Sequence, residues 1–266
     1  MGVPAPRKGA AALVVGASSG IGRELARQLA ARGHDVIIVA RRRPRLESLE
    51  RELRERHRGR VEIATCDVSE VTEREALLAR IEHLGLEVDI FVMSAGFGMG
   101  GAFLSQDPER LQLLVRTNFE ATVMLTRALL PAMVRRGSGG VLLVSSVGGN
   151  QPMPGFGAYA ASKAAVNSFA EMLHAEMAPH GVTVTALCPG GVRTEFSGIA
   201  QMDEIERRIP SFMMIDPADC ARVGLDGLDQ GQRRVVPLRS VRIFYGIAAR
   251  LPRRLWLALC RRYMVS

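Results

Sequence analysis

Seven short apolar runs, separated by stretches of helical periodicity, set the limits on how this chain can fold. They lie at 11–16 (AALVVG), 35–40 (DVIIVA), 60–66 (RVEIATC), 89–95 (DIFVMSA), 140–146 (GVLLVSS), 183–188 (TVTALC) and 234–238 (RVVPL). Most are unbroken and β-branched rather than alternating with polar residues. That is the pattern of strands buried on both faces, as in a parallel sheet. Helical segments fall between them. Residues 20–32 stop at Gly33, 44–58 carry Leu46, Leu49 and Leu53, and 71–84, 108–136 and 158–179 follow. This alternation predicts an α/β fold with a doubly wound sheet, in which ligands bind beyond the carboxyl ends of the strands. At 266 residues and 47% apolar content the chain can bury one large core. We read 1–238 as a single domain, followed by a basic amphipathic extension at 239–266.

Between the first run and the first helix stands Gly16-Ala17-Ser18-Ser19-Gly20-Ile21-Gly22. Glycines permit a tight turn and let a pyrophosphate approach the backbone, while the helix N-terminus offers free N–H groups and a positive dipole end. The end of the second strand should choose the cofactor. A carboxylate there binds the ribose hydroxyls of NAD and repels a 2′-phosphate. Here Val39-Ala40 runs into Arg41-Arg42-Arg43, and Asp35 sits at the other end of the strand. A guanidinium can grip a phosphate through two parallel N–H bonds. The expectation is NADP(H), held by Arg41 first and Arg42 second.

Tyr159 and Lys163 are four residues apart in a helical pattern, so they share one face. The chain has 33 arginines and only two lysines, Lys8 and Lys163. An ordinary phenol titrates near 10, too high for efficient acid–base work at neutrality, and a nearby ammonium lowers it. An ammonium is compact, whereas a guanidinium is a broad planar fork, which gives a reason for lysine at this one interior position. Ser146 ends the fifth strand at the ligand edge and can hydrogen-bond a carbonyl oxygen beside Tyr159, with Ser145 pointing the other way. Asn118 interrupts a long helical stretch, and its amide can bind a water relaying protons towards Lys163.

These motifs, with Cys66-Asp67-Val68, Ser94-Ala95-Gly96 and Pro189-Gly190-Gly191-Val192-Arg193-Thr194, together resemble the short-chain dehydrogenase/reductase family over about residues 10–238. The resemblance implies a Rossmann-type seven-stranded parallel sheet in the order 3-2-1-4-5-6-7 with helices on both faces. It implies hydride transfer between NAD(P)(H) and a carbonyl or alcohol. Tyr159 is then the general acid/base, Ser146 orients the substrate, Lys163 also holds the nicotinamide ribose, and Asn118 supports the proton relay. Asp67 and Val68 flank the adenine, and Val192 and Thr194 meet the carboxamide. The implied cofactor set is Gly16, Ser18, Ser19, Gly20, Ile21, Gly22, Arg41, Arg42, Asp67, Val68, Ser94, Ala95, Gly96, Asn118, Tyr159, Lys163, Pro189, Gly190, Val192 and Thr194. Two departures are Val15, where the family has Thr, and Met93-Ser94, where it has Asn-Asn. The family also suggests pairing through helices 108–136 and 158–179, hence a homodimer, with a tetramer the alternative.

Residues 195–215 are rich in methionine and other apolar side chains. With Ser146, the expected substrate residues are Met153, Phe156, Phe196, Met202 and Phe212, with Met99, Val147, Ile199, Ile209, Met213, Met214 and Ile215 nearby. Such a lining suits a lipophilic ketone or alcohol. The net charge of +8 could suggest nucleic acid, but residues 231–266 hold nine arginines and no acid, so the rest of the chain sums to −1. A nucleic-acid binder spreads its cations over a folded face with interleaved aromatics. In the extension, Leu255, Trp256, Leu259 and Tyr263 share one helical side, across from Arg254, Arg261 and Arg262. Pro252 and the arginines prevent it from spanning a bilayer. It either packs on the domain or lies on an anionic membrane surface. Four widely spaced cysteines and an opening segment without an apolar signal region give the expectation of a cytoplasmic protein, peripherally membrane-associated at most. Two other classes stay open: an NADP(H)-binding regulatory or scaffold protein without turnover, and a membrane-surface interaction protein.

Overall fold

The computed structural model describes residues 2–264, apart from the side chains of Ile205, Tyr263 and Met264. Strands and helices alternate as β1 (Ala10–Val15), α1 (Gly20–Ala31), β2 (Asp35–Ala40), α2 (Arg43–Arg56), β3 (Val61–Thr65), α3 (Val71–His83) and β4 (Glu87–Met93). Next, α4 (Pro108–Val115) runs through one π turn (Arg116–Glu120) into α5 (Ala121–Arg136). Then come β5 (Gly139–Val144), α6 (Gly157–Met177), β6 (Val182–Leu187), β7 (Gly191–Val192), α7 (Phe196–Ala200), α8 (Asp203–Arg207), β8 (Met214–Ile215), α9 (Pro217–Asp229) and β9 (Arg234–Val235). The chain ends in α10 (Arg239–Ala248) and α11 (Arg253–Met264).

Seven strands form one parallel sheet in the order β3-β2-β1-β4-β5-β6-β9, and β7 with β8 make a separate short pair. Why the strand sequences are unbroken runs is visible in the core. Leu13, Ile37, Phe91 and Leu143 point to the layer holding Leu77 of α3, Leu125 of α5 and Val166 of α6. Their neighbours Val14, Ile38, Val92 and Leu142 point to the layer holding Leu25 of α1, Leu49 of α2 and Leu225 of α9. Each such side chain, fully buried, contributes about 1.5–3 kcal/mol, so a polar residue on either face would cost stability. The order reverses between β1 and β4, which opens a crevice at the carboxyl edge there.

Three expectations shift. The last strand is two residues rather than five, because Pro237 has no N–H to donate to the ladder. The stretch 108–136, expected to be interrupted at Asn118, instead stays helical throughout, with Asn118 in a π turn. The tail splits its apolar residues differently. Trp256 and Cys260 turn inward against Ala248, with the indole N–H donating to the Pro152 carbonyl at 2.9 Å, while Leu255 and Leu259 face outward. The Tyr263 side chain lies outside the described residues. In α10, Val241 is buried in the main core. Both terminal helices therefore pack on the domain. Among the described residues, no helix is long and apolar enough to cross a membrane.

Candidate active site

A cleft of about 400 Å³ opens along the carboxyl edge of β1, β4 and β5. Its floor is the glycine loop. Gly16 has φ +92°, and a Cβ there would stand 2.5 Å from the backbone N of Ala95. A Cβ on Gly22 would stand 2.3 Å from the carbonyl oxygen of Gly16. The loop is thus folded so tightly that only glycine fits at both places, which leaves its backbone open to an approaching ligand. The N–H groups of Gly16 and Ala17 donate to Val39 O at the end of β2. Ser18, Ser19, Gly20 and Ile21 line the cleft, and α1 starts there with no acid in its first turn.

Above this loop both arginines line the cleft. Arg41 is 61% exposed and leans on Asp67 at 3.4 Å. Arg42 turns into the cleft, where its Nε and Nη2 donate to Ser18 Oγ (3.2 and 2.9 Å) and Nη2 donates to Ser19 Oγ at 2.8 Å. The side chain that adjacency in sequence could not reveal is Glu195. Its Oε1 pairs with Arg42 Nη2 at 2.5 Å and accepts from Ser19 Oγ at 2.8 Å, while Oε2 accepts from Arg45 Nη1 at 2.6 Å. Burial alone would raise its pKa. The hydrogen bonds from Arg42, Arg45 and Ser19 outweigh that and hold the carboxyl at about 2. Sequence reasoning missed both Glu195 and Arg45. The only signal was that Glu195 adjoins Thr194, itself assigned to the cleft.

Most of the remaining expected cofactor residues converge on the same cleft, whereas Gly22 and the buried Asn118 are not among those that line it. Asp67, Val68, Ser94, Ala95, Gly96, Pro189, Gly190, Val192 and Thr194 all line it. Asp67 Oδ1 accepts from the N–H and hydroxyl of Ser69 at 3.0 and 2.7 Å. Burial would raise its pKa, but those bonds and Arg41 bring it below the ordinary carboxylate value.

At the other end, Ser146, Tyr159 and Lys163 meet. Ser146 Oγ accepts from Gly148 N at 3.0 Å, which leaves its hydroxyl proton for the cleft. β5 and α6 are clamped reciprocally: Lys163 Nζ donates to Val144 O at 2.9 Å, and Ser145 Oγ donates to Lys163 O at 3.0 Å. Lys163 is buried, and a Cβ on Gly96 would come within 3.3 Å of its Nζ. This leaves little room for a guanidinium. The Tyr159 ring stacks on Phe156 at 4.3 Å and lies 5.4 Å from Phe196.

Two chemical expectations are corrected here. Lys163 was expected to make the phenol more acidic. Instead, burial pushes Tyr159 up to about 12, with the Ser146 hydroxyl opposing it, and Nζ stays 5.9 Å from the ring centre. Burial lowers Lys163 itself to about 8. Near neutrality the site therefore presents a protonated phenol and a largely charged ammonium. Asn118 was expected to hold a water with its amide. That amide is committed: Oδ1 accepts from Phe97 N (3.0 Å), and Nδ2 donates to Phe97 O (2.9 Å) and Ser162 Oγ (3.1 Å). It ties the loop after β4 to α6, one residue from Lys163.

An apolar cluster packs around the phenol, made of Met99, Leu114, Phe156 and Ala200 with Phe97, Leu111, Met153, Phe196 and Met202; of these only Phe97 and Phe196 line the cleft, and the expected Met153, Phe156 and Met202 sit behind it. Phe212 does not belong to this cluster. It is 68% exposed in the turn just before β8, and its carbonyl accepts from Ser240 Oγ at 2.9 Å. Val147, Met213 and Ile215 turn into the two sheet cores instead.

Residues 10–204 match the sequence family described as short chain dehydrogenase. A Sus scrofa protein named dehydrogenase/reductase SDR family member 4 is 33% identical over 224 residues, covering 82% of this chain and 80% of its own length. The solved structure of a short-chain dehydrogenase from Sphingobium yanoikuyae in complex with NADPH superposes with a TM-score of 0.81 at 30% identity, covering 91% of this chain and 93% of its own. The bulky-bulky ketone specific alcohol dehydrogenase from Comamonas testosteroni superposes with a TM-score of 0.76 at 26% identity, covering 91% and 95%.

Proposed function

The chain belongs to the short-chain dehydrogenase family, whose members are oxidoreductases, and from that premise we propose that it is an NADP(H)-dependent reductase of a lipophilic ketone. The observation that carries this reading is the pairing, at one cleft end, of a protonated buried phenol with a serine hydroxyl and an ammonium. A protonated phenol remains more acidic than the alcohol that forms on a reduced carbonyl, so it can supply the proton.

The cradle fits the cofactor. Two glycines whose Cβ atoms would collide with backbone leave room for a pyrophosphate, and Arg42 stands over the loop hydroxyls where a 2′-phosphate needs a cation. The Sphingobium yanoikuyae relative, solved with NADPH, supports that preference. When bound, the nicotinamide supplies hydride. In this reading Ser146 donates a hydrogen bond to the carbonyl oxygen and holds it against Tyr159, and Tyr159 delivers the proton. Lys163 places positive charge beneath both. Asn118 acts through position, by fixing Phe97 and Ser162. Phe97, Leu113, Phe196 and Ile199, which line the cleft, take the apolar part of the substrate, in keeping with the bulky ketones named for the Comamonas testosteroni relative.

Tyr159→Phe keeps the ring and removes the proton. NADPH oxidation against a panel of bulky ketones is expected to fall by at least about 100-fold, the lower range for general acid catalysis, with NADPH still bound. Retained turnover would overturn the mechanism. NADPH binding by the wild-type chain without turnover on any ketone would favour a non-catalytic, cofactor-bound regulator.

A further inference from the structure

The two C-terminal helices bury one set of apolar residues and turn another set outward. In α10 the inward positions are Val241 and Ala248, yet Ile243, Phe244 and Ile247 form an outward arc. Ile247 is 60% exposed. Ser240, one turn before Ile243 and Phe244 on the same face, bonds the backbone carbonyl of exposed Phe212, which brings Phe212 beside that end of the helix. In α11, Trp256 and Cys260 point in while Leu255 and Leu259, about half exposed, point out. Exposed apolar side chains on two successive helices are unlike singly scattered surface residues.

The charge around them is equally one-sided. Residues 231–266 contain nine arginines and no acid. Elsewhere arginines such as Arg7, Arg27, Arg32, Arg74 and Arg136 are paired with carboxylates. Arg239, Arg242, Arg250, Arg254 and Arg261 have no carboxylate partner among the described residues; all five are exposed and flank the apolar arcs. A second copy of this chain fits poorly. A two-fold contact sets the same patch against itself, and here that would bring unpaired arginines together. Apolar arcs rimmed by arginine match a surface that is apolar within and anionic at its border.

We propose that α10 and α11 dock this protein on an anionic lipid bilayer, with Phe212, Ile243, Phe244, Ile247, Leu255 and Leu259 entering the headgroup boundary and the arginines meeting lipid phosphates. The surface adjoins the apolar cluster around the phenol: Trp256 holds Pro152 and Arg253 reaches Gln151, next to Met153. Delivery of a lipophilic ketone from the bilayer rests on the function proposed above; the docking itself does not.

The test is co-sedimentation of the full chain with phosphatidylcholine vesicles, with and without phosphatidylglycerol. Binding is expected only to the anionic vesicles and should weaken as salt rises. Arg242→Gln and Arg254→Gln should each lower partitioning roughly five-fold, which corresponds to about 1 kcal/mol per basic residue at a membrane surface. Ile247→Glu with Leu259→Glu should abolish it while the melting temperature holds, because both residues are exposed. No binding at low salt, equal binding to neutral vesicles, or tail variants that change the oligomeric mass in light scattering but not the partitioning would each overturn the proposal. Tyr159→Phe should sediment like the wild type whatever its turnover, so docking and catalysis are judged separately.

Discussion

Glu195 offers the sharpest probe of how the cleft handles phosphate. Its carboxylate occupies Nη2 of Arg42 and the hydroxyl of Ser19, groups that a 2′-phosphate would use. Its pKa is held at about 2 against an ordinary 4.5. Taken at face value, that difference is about 3 kcal/mol of interaction. Roughly a third of the Glu195 side chain is exposed, and more of the two arginines, so solvent screening leaves about 1–1.5 kcal/mol. Glu195→Gln removes the negative charge beside the phosphate and releases Arg42. NADPH should then bind about ten-fold more tightly, as about 1.4 kcal/mol corresponds to a factor of ten. NADH, which lacks the 2′-phosphate, should gain about two-fold or less, since only longer-range repulsion is relieved. Fluorescence titration of the reduced cofactors at fixed salt measures both. Weaker NADPH binding would refute the reasoning and make Glu195 a brace that positions Arg42. An equal gain for NADH would show that Arg42 does not read the 2′-phosphate.

Other outcomes follow from the same geometry. Because burial lowers Lys163 to about 8 while Tyr159 sits near 12, ketone reduction should decline as pH rises through about 8, where the ammonium loses its proton and the phenol keeps its own; a kcat profile flat to pH 10 would count against that charge. Gly22→Ala drives a Cβ to within 2.3 Å of the Gly16 carbonyl oxygen, so the melting temperature should drop by about 5 °C or more, at about 2–4 °C per kcal/mol for a chain of this size; an unchanged melt would mean the loop relaxes freely. Phe196→Ala should raise KM for a bulky ketone while Phe212→Ala leaves it unchanged, because only Phe196 lies against Tyr159; equal effects would place the wall wrongly. Trp256, the only tryptophan, bonds Pro152 in the loop before Met153, and its emission should shift when a ketone fills the cleft; a silent spectrum would mean that loop stays still on binding.

What the sequence by itself determined is what depends on short-range order. Unbroken β-branched runs separated by helical periods required a sheet buried on both faces, and seven strands assembled that way. Three glycines between strand and helix required a tight turn. A spacing of four put Tyr159 and Lys163 on one helical face. Tertiary structure decided whatever depends on partners distant along the chain. Arg41 and Arg42 are neighbours with the same side chain and both line the cleft, but the hydroxyls of Ser18 and Ser19 and the carboxylate of Glu195 hold Arg42 over the glycine loop while Asp67 holds Arg41. Phe196 and Phe212 sit in one apolar segment, but α7 carries one to the phenol and the turn before β8 leaves the other in solvent. The phenol's proton affinity was misjudged for the same reason. Spacing predicts that a lysine is near, whereas desolvation depends on rings, backbone and strands brought in from both sides of the fold, and here desolvation outweighs the hydrogen bond with Ser146.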